Sequence, residues 1–481
     1  MLEVFEAKKG GYTVSLHGTM LLSRYDPAGD ASKIAEELLK REGRDRNFLL
    51  FGTALGLLPA ALAASGVPLT RILAFEPDER LGDIAKAACP GLRLLSPMDD
   101  IPSWIEEGLY DRARPAVFGI ESWKRAWSAE WSRFERFTAD AVRTAVENVK
   151  VTGFFSRLWV SNLVANVKRY LERPEDTFIF APRLPVQAPV LVAASGPSLD
   201  DRTAEIFAHR EGFVVIAVLS AARTLLAAGI RPDAVAVSDA GVANKLHAAG
   251  IPSDIPILAG PFASGALLCA SENPAAFYGL AGEIVSPTWR LSQPSVSIDA
   301  GDLARKFSSL PPVFAGFDLS YRLPEGSHSS RNALFELRRR NGSRLRTADS
   351  AGLGFFRRSD LEPDGGGGWT TSSFRTIAGI SGSRFPGAMT LPGGLEREGW
   401  KIIDSLEKVA DPTAARIGRE ALRGAFIRSA DLESKARFFL EKVREAVRAA
   451  DGEILRKWFV RERLAGLSAD TALQCLKRKL G

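Results

Sequence analysis

The chain has 481 residues, enough for two or three domains. Its 46% hydrophobic and 25% charged residues are the proportions of a soluble globular protein. No apolar run approaches the roughly 20 residues of a membrane span. The net charge of +6 gathers in about the last eighty residues, where it reads as a solvated helix face rather than a nucleic-acid surface.

Cys89, Cys269 and Cys475 lie far apart, which gives neither metal spacing nor a disulfide framework and fits a reducing cytoplasm. Four histidines, His17, His209, His247 and His328, are too few for a His-rich metal site. The stretch Met1–Glu6 is acidic and poor in apolar residues, unlike a signal peptide. The location expected is cytoplasmic, with no membrane span and no nucleic-acid partner.

In chain order, Leu2–Glu6 and Tyr12–Leu16 read as strands and Ala31–Arg41 as a helix. Asn47–Phe51 is a strand that ends in a turn holding Gly52 and Gly56, and Arg71–Asp78 is the next strand. A Gly turn, a helix and an acidic residue about two dozen positions on are the layout of a Rossmann-like half, in which Glu76 would meet a ribose. The full GxGxxG is absent, so residues 1–120 are expected to keep that fold as a scaffold.

Residues 121–185 read as a helical connector. Trp123, Trp127, Trp131, Phe134 and Phe137 recur at spacings of three and four, a packing stripe rather than a ligand cage. Pro182 and Pro185 mark its end.

Residues 186–390 alternate strands and helices, which predicts a doubly wound parallel sheet. Pro189–Ala193 is a buried strand, and Ala194–Ser198 a small-residue turn into a helix. Gly196 permits a sharp turn, Pro197 suits the first helical position, and Ser198 offers a hydroxyl. The unpaired N–H groups opening that helix are suited to a phosphate. Further strands end at Val218, Asp239, Gly260 and Asp318. Ligands of such sheets collect at strand carboxyl ends. Gly196–Ser198, Asp239 and Gly316–Asp318 all lie there. Residues 350–390, glycine-rich with Gly365–Gly368 in a row, read as a flexible lid or a linker, and residues 391–481 as a helical domain with patterns at Leu432–Ala450 and Leu455–Leu464.

Three stretches taken together, Ser195–Leu199, Gly229–Asp233 and Val237–Asp239, resemble the Maf (motility-associated factor) flagellin glycosyltransferases. Those share a central domain with MptE-like 6-hydroxymethylpterin diphosphokinases, and that domain is similar to bacterial sialyltransferases. Ser295–Ser297, Ala315–Tyr321 and Gly326–His328 extend the match. Ala194, Leu219, Phe317 and Ser320 depart from the pattern. Leu219 and Phe317 put donor hydrogen bonds in question.

The resemblance implies transfer of a nonulosonic, sialic-acid-like sugar from a CMP-activated donor to serine or threonine of flagellin, with no tightly bound cofactor and no metal. It implies that Gly196, Pro197, Ser198, Asp239, Ser295, Gly316 and Asp318 bind the donor, and that His328 is the base. One alternative is a pyrophosphoryl transferase in which Asp239 and Asp318 hold Mg²⁺ against ATP. The other is a non-catalytic flagellar assembly factor.

Overall fold

Short apolar runs bounded by glycine and proline become strands, and amphipathic runs become the helices that cover them. The computed structural model describes residues 2–95, 101–110, 113–285, 294–322, 326–341 and 361–448. The chain divides into two compact units after Ser156.

In the first unit, β1 (Leu2–Glu6), β2 (Tyr12–Leu16) and β3 (Thr19–Met20) form an antiparallel sheet. Next come α1 (Pro27–Glu42), β4 (Asn47–Phe51), α2 (Leu57–Ala64), β5 (Ile72–Phe75), α3 (Glu79–Ala88), β6 (Arg93–Leu95), α4 (Ile101–Tyr110), β7 (Pro115–Gly119) and α5 (Glu121–Ala126). The parallel sheet runs β6-β5-β4-β7, the strand order of the Rossmann half expected there. The aromatic stripe packs onto it: Phe134 lies against Phe51 and Phe75, and Trp131 against Phe51. The 45-residue helix α6 (Ser128–Glu172) runs on into the second unit.

The second unit contains β8 (Thr177–Phe180), β9 (Val190–Ala193), α7 (Ser198–Ala208), β10 (Val214–Val218), α8 (Leu219–Ala227), β11 (Ala234–Val237), α9 (Asn244–Ala248), β12 (Ile257–Ala259), α10 (Gly265–Ala270) and β13 (Ala275–Phe277). After these come α11 (Leu280–Val285), α12 (Val296–Phe307), β14 (Val313–Ala315), α13 (Ala333–Arg340), β15 (Leu361–Pro363), β16 (Trp369–Thr371), α14 (Ser372–Arg384), β17 (Met389–Thr390), β18 (Lys401–Ile402), α15 (Pro412–Gly424), β19 (Phe426–Ile427) and α16 (Ala430–Arg448).

Ten strands make one sheet in the order β18-β17-β14-β9-β10-β11-β12-β13-β8-β19, parallel except for the last pair. Strands β9, β10 and β11 are buried at every position, which is why they read as continuous apolar runs. From β9 the chain steps one way through β10 to β13, then returns through α12 to β14 on the other side of β9. That reversal between β9 and β14 is the switch point where ligands of such sheets bind.

The sheet extends past both expected limits of the central domain. β8 precedes the proline-marked boundary, and β18 and β19 fall within the stretch read as purely helical. Such short strands carry no periodicity; their register comes from the neighbours they pair with. Of the stretch 350–390 read as a lid or linker, residues 350–360 lie outside the described residues, and Gly365–Gly368 lie in the turn of the β15–β16 hairpin, where the Asp364 carboxylate accepts the N–H groups of Gly366 and Gly368, each at 2.8 Å. Helix α16 matches the predicted pattern at Leu432–Ala450. The helix expected at Leu455–Leu464, and Cys475, lie outside the described residues. Among the described residues no helix is long and apolar enough to cross a membrane.

Candidate functional site

The turn after β9 is organised by the chain itself. The Asp318 carboxylate, just beyond β14, accepts the Ser198 N–H at 2.6 Å and the Ser198 hydroxyl. The Gly196 N–H donates to the Gly316 carbonyl at 2.6 Å. A carboxylate of the chain therefore sits at the helix N-terminus where a phosphate was expected. Ser198 and Asp318, each 2% exposed, bind one another and are positioned to hold the turn rather than to meet a donor. Gly196 is required by this approach: a Cβ there would lie 2.5 Å from the Gly316 carbonyl oxygen and 2.6 Å from Asp318 Oδ2. Gly316 has φ +69°, and a Cβ would meet the Ala194 carbonyl oxygen at 2.5 Å. Pro197 stands just before the first helical residue, Ser198. Burial pushes the Asp318 carboxyl above the usual carboxylate range; the Ser198 hydrogen bonds and nearby Arg322 and Arg397 oppose it.

Beside this turn, hydroxyl groups converge. Ser220 donates to the Ser195 hydroxyl at 2.8 Å. The Ser329 N–H donates to the Ser195 carbonyl at 2.7 Å, and the Ser329 and Thr224 hydroxyls are 2.8 Å apart. These bonds bring the segment holding His328 to the carboxyl end of β9. His328 is half-buried, with Nδ1 2.9 Å from the Ser327 hydroxyl.

Asp239, at the end of β11, is exposed and accepts the Gly241 N–H at 2.8 Å. Its carboxylate also bears on His247 of α9. Burial, then Arg223, pushes the His247 imidazole below its ordinary value, and Asp239 opposes them. His247 is 7% exposed, as a structural histidine should be. Ser295 caps α12, accepting the Ser297 N–H at 3.3 Å.

Sequence reasoning missed three groups on this edge: buried Ser238 after β11, buried Asp299 in the first turn of α12, and half-buried Tyr278 after β13, whose hydroxyl is enclosed. Burial, with the Asp299 charge adding to it, pushes the Tyr278 hydroxyl well above its ordinary pKa. The signal available was the N-cap pattern at Ser295 followed by an acidic first turn. Leu219 and Phe317, the departures from the Maf pattern, are both 4% exposed. The Phe317 ring lies 4.4 Å from the Arg397 guanidinium, so that position serves packing.

The two aspartates of the Mg²⁺ reading do not converge. β11 and β14 are three spacings apart in the sheet, which separates their ends by about 14 Å, beyond what one ion bridges. Among the described residues no cluster of three His, Cys, Asp or Glu side chains is placed to hold a metal.

In the first unit the expected ribose contact is already taken. Glu76 accepts the Thr53 N–H at 2.9 Å, the Thr53 hydroxyl at 2.7 Å and the Trp123 indole N–H at 2.6 Å. The Trp123 ring fills the space over Gly52, where a Cβ would lie 2.5 Å from it. Burial raises the Glu76 carboxyl to about 6.

Residues 161–323 match the family described as 6-hydroxymethylpterin diphosphokinase MptE-like. The Maf glycosyltransferase of Magnetospirillum magneticum AMB-1 is similar in fold, with a TM-score of 0.62 at 16% identity, covering 100% of this chain and 87% of that one. An uncharacterized protein of Treponema pallidum is 26% identical over 120 residues, which are 24% of this chain and 54% of the relative. The chain thus spans about half the length of that relative, and its fold is that of a Maf glycosyltransferase.

Proposed function

We propose that this chain is a glycosyltransferase that moves a nonulosonic sugar from a CMP-activated donor to serine or threonine hydroxyls of flagellin. The observation that supports it is the set of hydroxyl and carboxylate groups at the carboxyl ends of β9 to β13, in a chain of Maf glycosyltransferase fold: Ser195, Ser220, Ser238, Asp239, Tyr278 and Asp299. Neutral hydroxyl donors suit a single nucleotide phosphate and sugar hydroxyls, and donors already in place act on charge as it grows on the leaving group. His328 is the base for the acceptor hydroxyl, the role an imidazole most often takes in general acid–base chemistry. Asp239, exposed at the mouth, binds donor hydroxyls. Ser198 and Asp318 are positioning residues that hold the turn below Ser195.

A thermal-shift screen with CMP, CDP, UDP, ADP, ATP and GTP, each with and without Mg²⁺, tests this. A ligand at a hundred times its Kd stabilises by about 2.7 kcal/mol. A metal-independent shift with CMP is expected. The MptE-like match of residues 161–323 favours the pyrophosphoryl-transfer reading as second. A shift with ATP and Mg²⁺ alone would replace the first reading by it, and no shift would replace both by the assembly factor.

A further inference from the structure

The chain on both sides of His328 is fixed by hydrogen bonds. Before it, the Arg322 N–H donates to the Gly326 carbonyl at 2.8 Å and the Gly326 N–H to the Arg322 carbonyl at 2.7 Å. After it, Ser329 to Asn332 form a turn, in which the Asn332 N–H donates to the Ser329 carbonyl at 3.0 Å. The Glu336 N–H then donates to the Asn332 carbonyl at 3.0 Å, which carries the turn into α13.

Three elements at the carboxyl edge of the sheet grip that turn. The Ser329 N–H donates to the Ser195 carbonyl after β9, and the next N–H, that of Ser330, donates to the half-buried Asp200 carboxylate in the first turn of α7, each at 2.7 Å. The Ser329 hydroxyl meets the Thr224 hydroxyl of α8, and both residues are buried. Two ion pairs flank these bonds: Arg322 with Asp201 of α7 at 2.8 Å, and Glu336 of α13 with Arg223 of α8 at 2.6 Å. The Ser329 N–H belongs to the peptide group that follows His328, and that group is planar. Holding it and the next one therefore fixes the direction in which the imidazole leaves the backbone. A base must lie within about 3 Å of the proton it takes, and a misplacement of about 1 Å costs about a hundredfold in rate.

We infer, on the reading of His328 as the base, that Asp200 and Thr224 are positioning residues that aim His328 at the acceptor hydroxyl by holding the Ser329–Asn332 turn to α7 and α8. Helix α7 then has two tasks within one turn. Ser198 orders the turn below Ser195, and Asp200 holds the segment of the base. Ser195 joins the two, since its hydroxyl accepts from Ser220 while its carbonyl accepts from Ser329. The spacing between leaving group and base is thereby set inside one hydrogen-bonded unit.

The test uses the full chain, carbon-13 labelled at the histidine Cε1 atoms so that NMR reads its 4 imidazoles. The His328 signal is the one lost in His328→Gln. Thr224→Val and Asp200→Ala should each shift or broaden that signal and leave those of His17 and His209 in place. Thr224→Ser keeps the hydroxyl and Asp200→Asn keeps an oxygen acceptor, so each should restore it. Release of CMP from a CMP-activated sialic acid gives the second readout. There Thr224→Val and Asp200→Ala should lower kcat about tenfold or more with the Kd for CMP unchanged, and the conservative variants should regain it. Asp200→Ala serves if Thr224→Val does not fold. Wild-type protein that shows the NMR shifts but no turnover would remove the transfer reading and keep the placement of His328 by Asp200 and Thr224. An unmoved His328 signal in both variants, or a full kcat in both, would overturn the inference.

Discussion

Glu76 shows how one side chain converts a recognisable pattern into something else. Its position fits a ribose contact, yet its oxygens serve Thr53 and Trp123. Its pKa is raised from 4.5 to about 6, so the folded state holds a proton that the unfolded state releases. Stability is therefore present in full below pH 4.5 and falls as pH rises to about 6, by about 2 kcal/mol. Denaturant titration between those pH values should show this slope in the wild type and lose it in Glu76→Gln. At the candidate site, Tyr278→Phe should lower transfer about tenfold or more if its hydroxyl meets developing charge. His328→Ala should lower transfer at least as far; wild-type turnover in a donor-release assay would remove it from the mechanism.

Among the elements, the junction of α7, β14 and the Leu391–Arg397 turn leaves no room for added atoms. Ser198→Ala removes a hydrogen bond to a buried carboxylate and should cost about 1–3 kcal/mol. At Gly394, with φ +67°, a Cβ would fall inside the Asp318 backbone. Gly394→Ala should cost about 3 kcal/mol or more, from overpacking and left-handed backbone together. Gly365, with φ +89° and nothing within 4 Å of its Cβ position, should cost only about 1–2 kcal/mol as alanine. Chemical denaturation of the two alanine variants separates the clash from the backbone term. The elements themselves were legible: β1, β2 and β4 appear where the alternation and apolar runs place them. The partner of Ser198 was not, because Asp318 is 120 residues away and no local pattern joins them.

For the whole molecule, each unit has its own buried core, one around β4 and β5, the other around β9, β10 and β14. Glu76→Gln and Gly394→Ala should therefore move different transitions in differential scanning calorimetry. A single transition shifted by both would mean the cores unfold together. The candidate donor site belongs to the second unit alone.

The sequence by itself determined the strand-and-helix alternation and the parallel sheet. These follow from apolar periodicity and turn chemistry, which act over a few residues. Only the tertiary structure decided that Asp318 closes the phosphate-like turn, that Trp123 fills the Rossmann crevice, and that β18 and β19 extend the sheet. It also brought Tyr278 and Asp299 to the carboxyl edge of the sheet. Each of these rests on contacts between distant residues, and what a buried polar group does is set by the partner that packing brings to it.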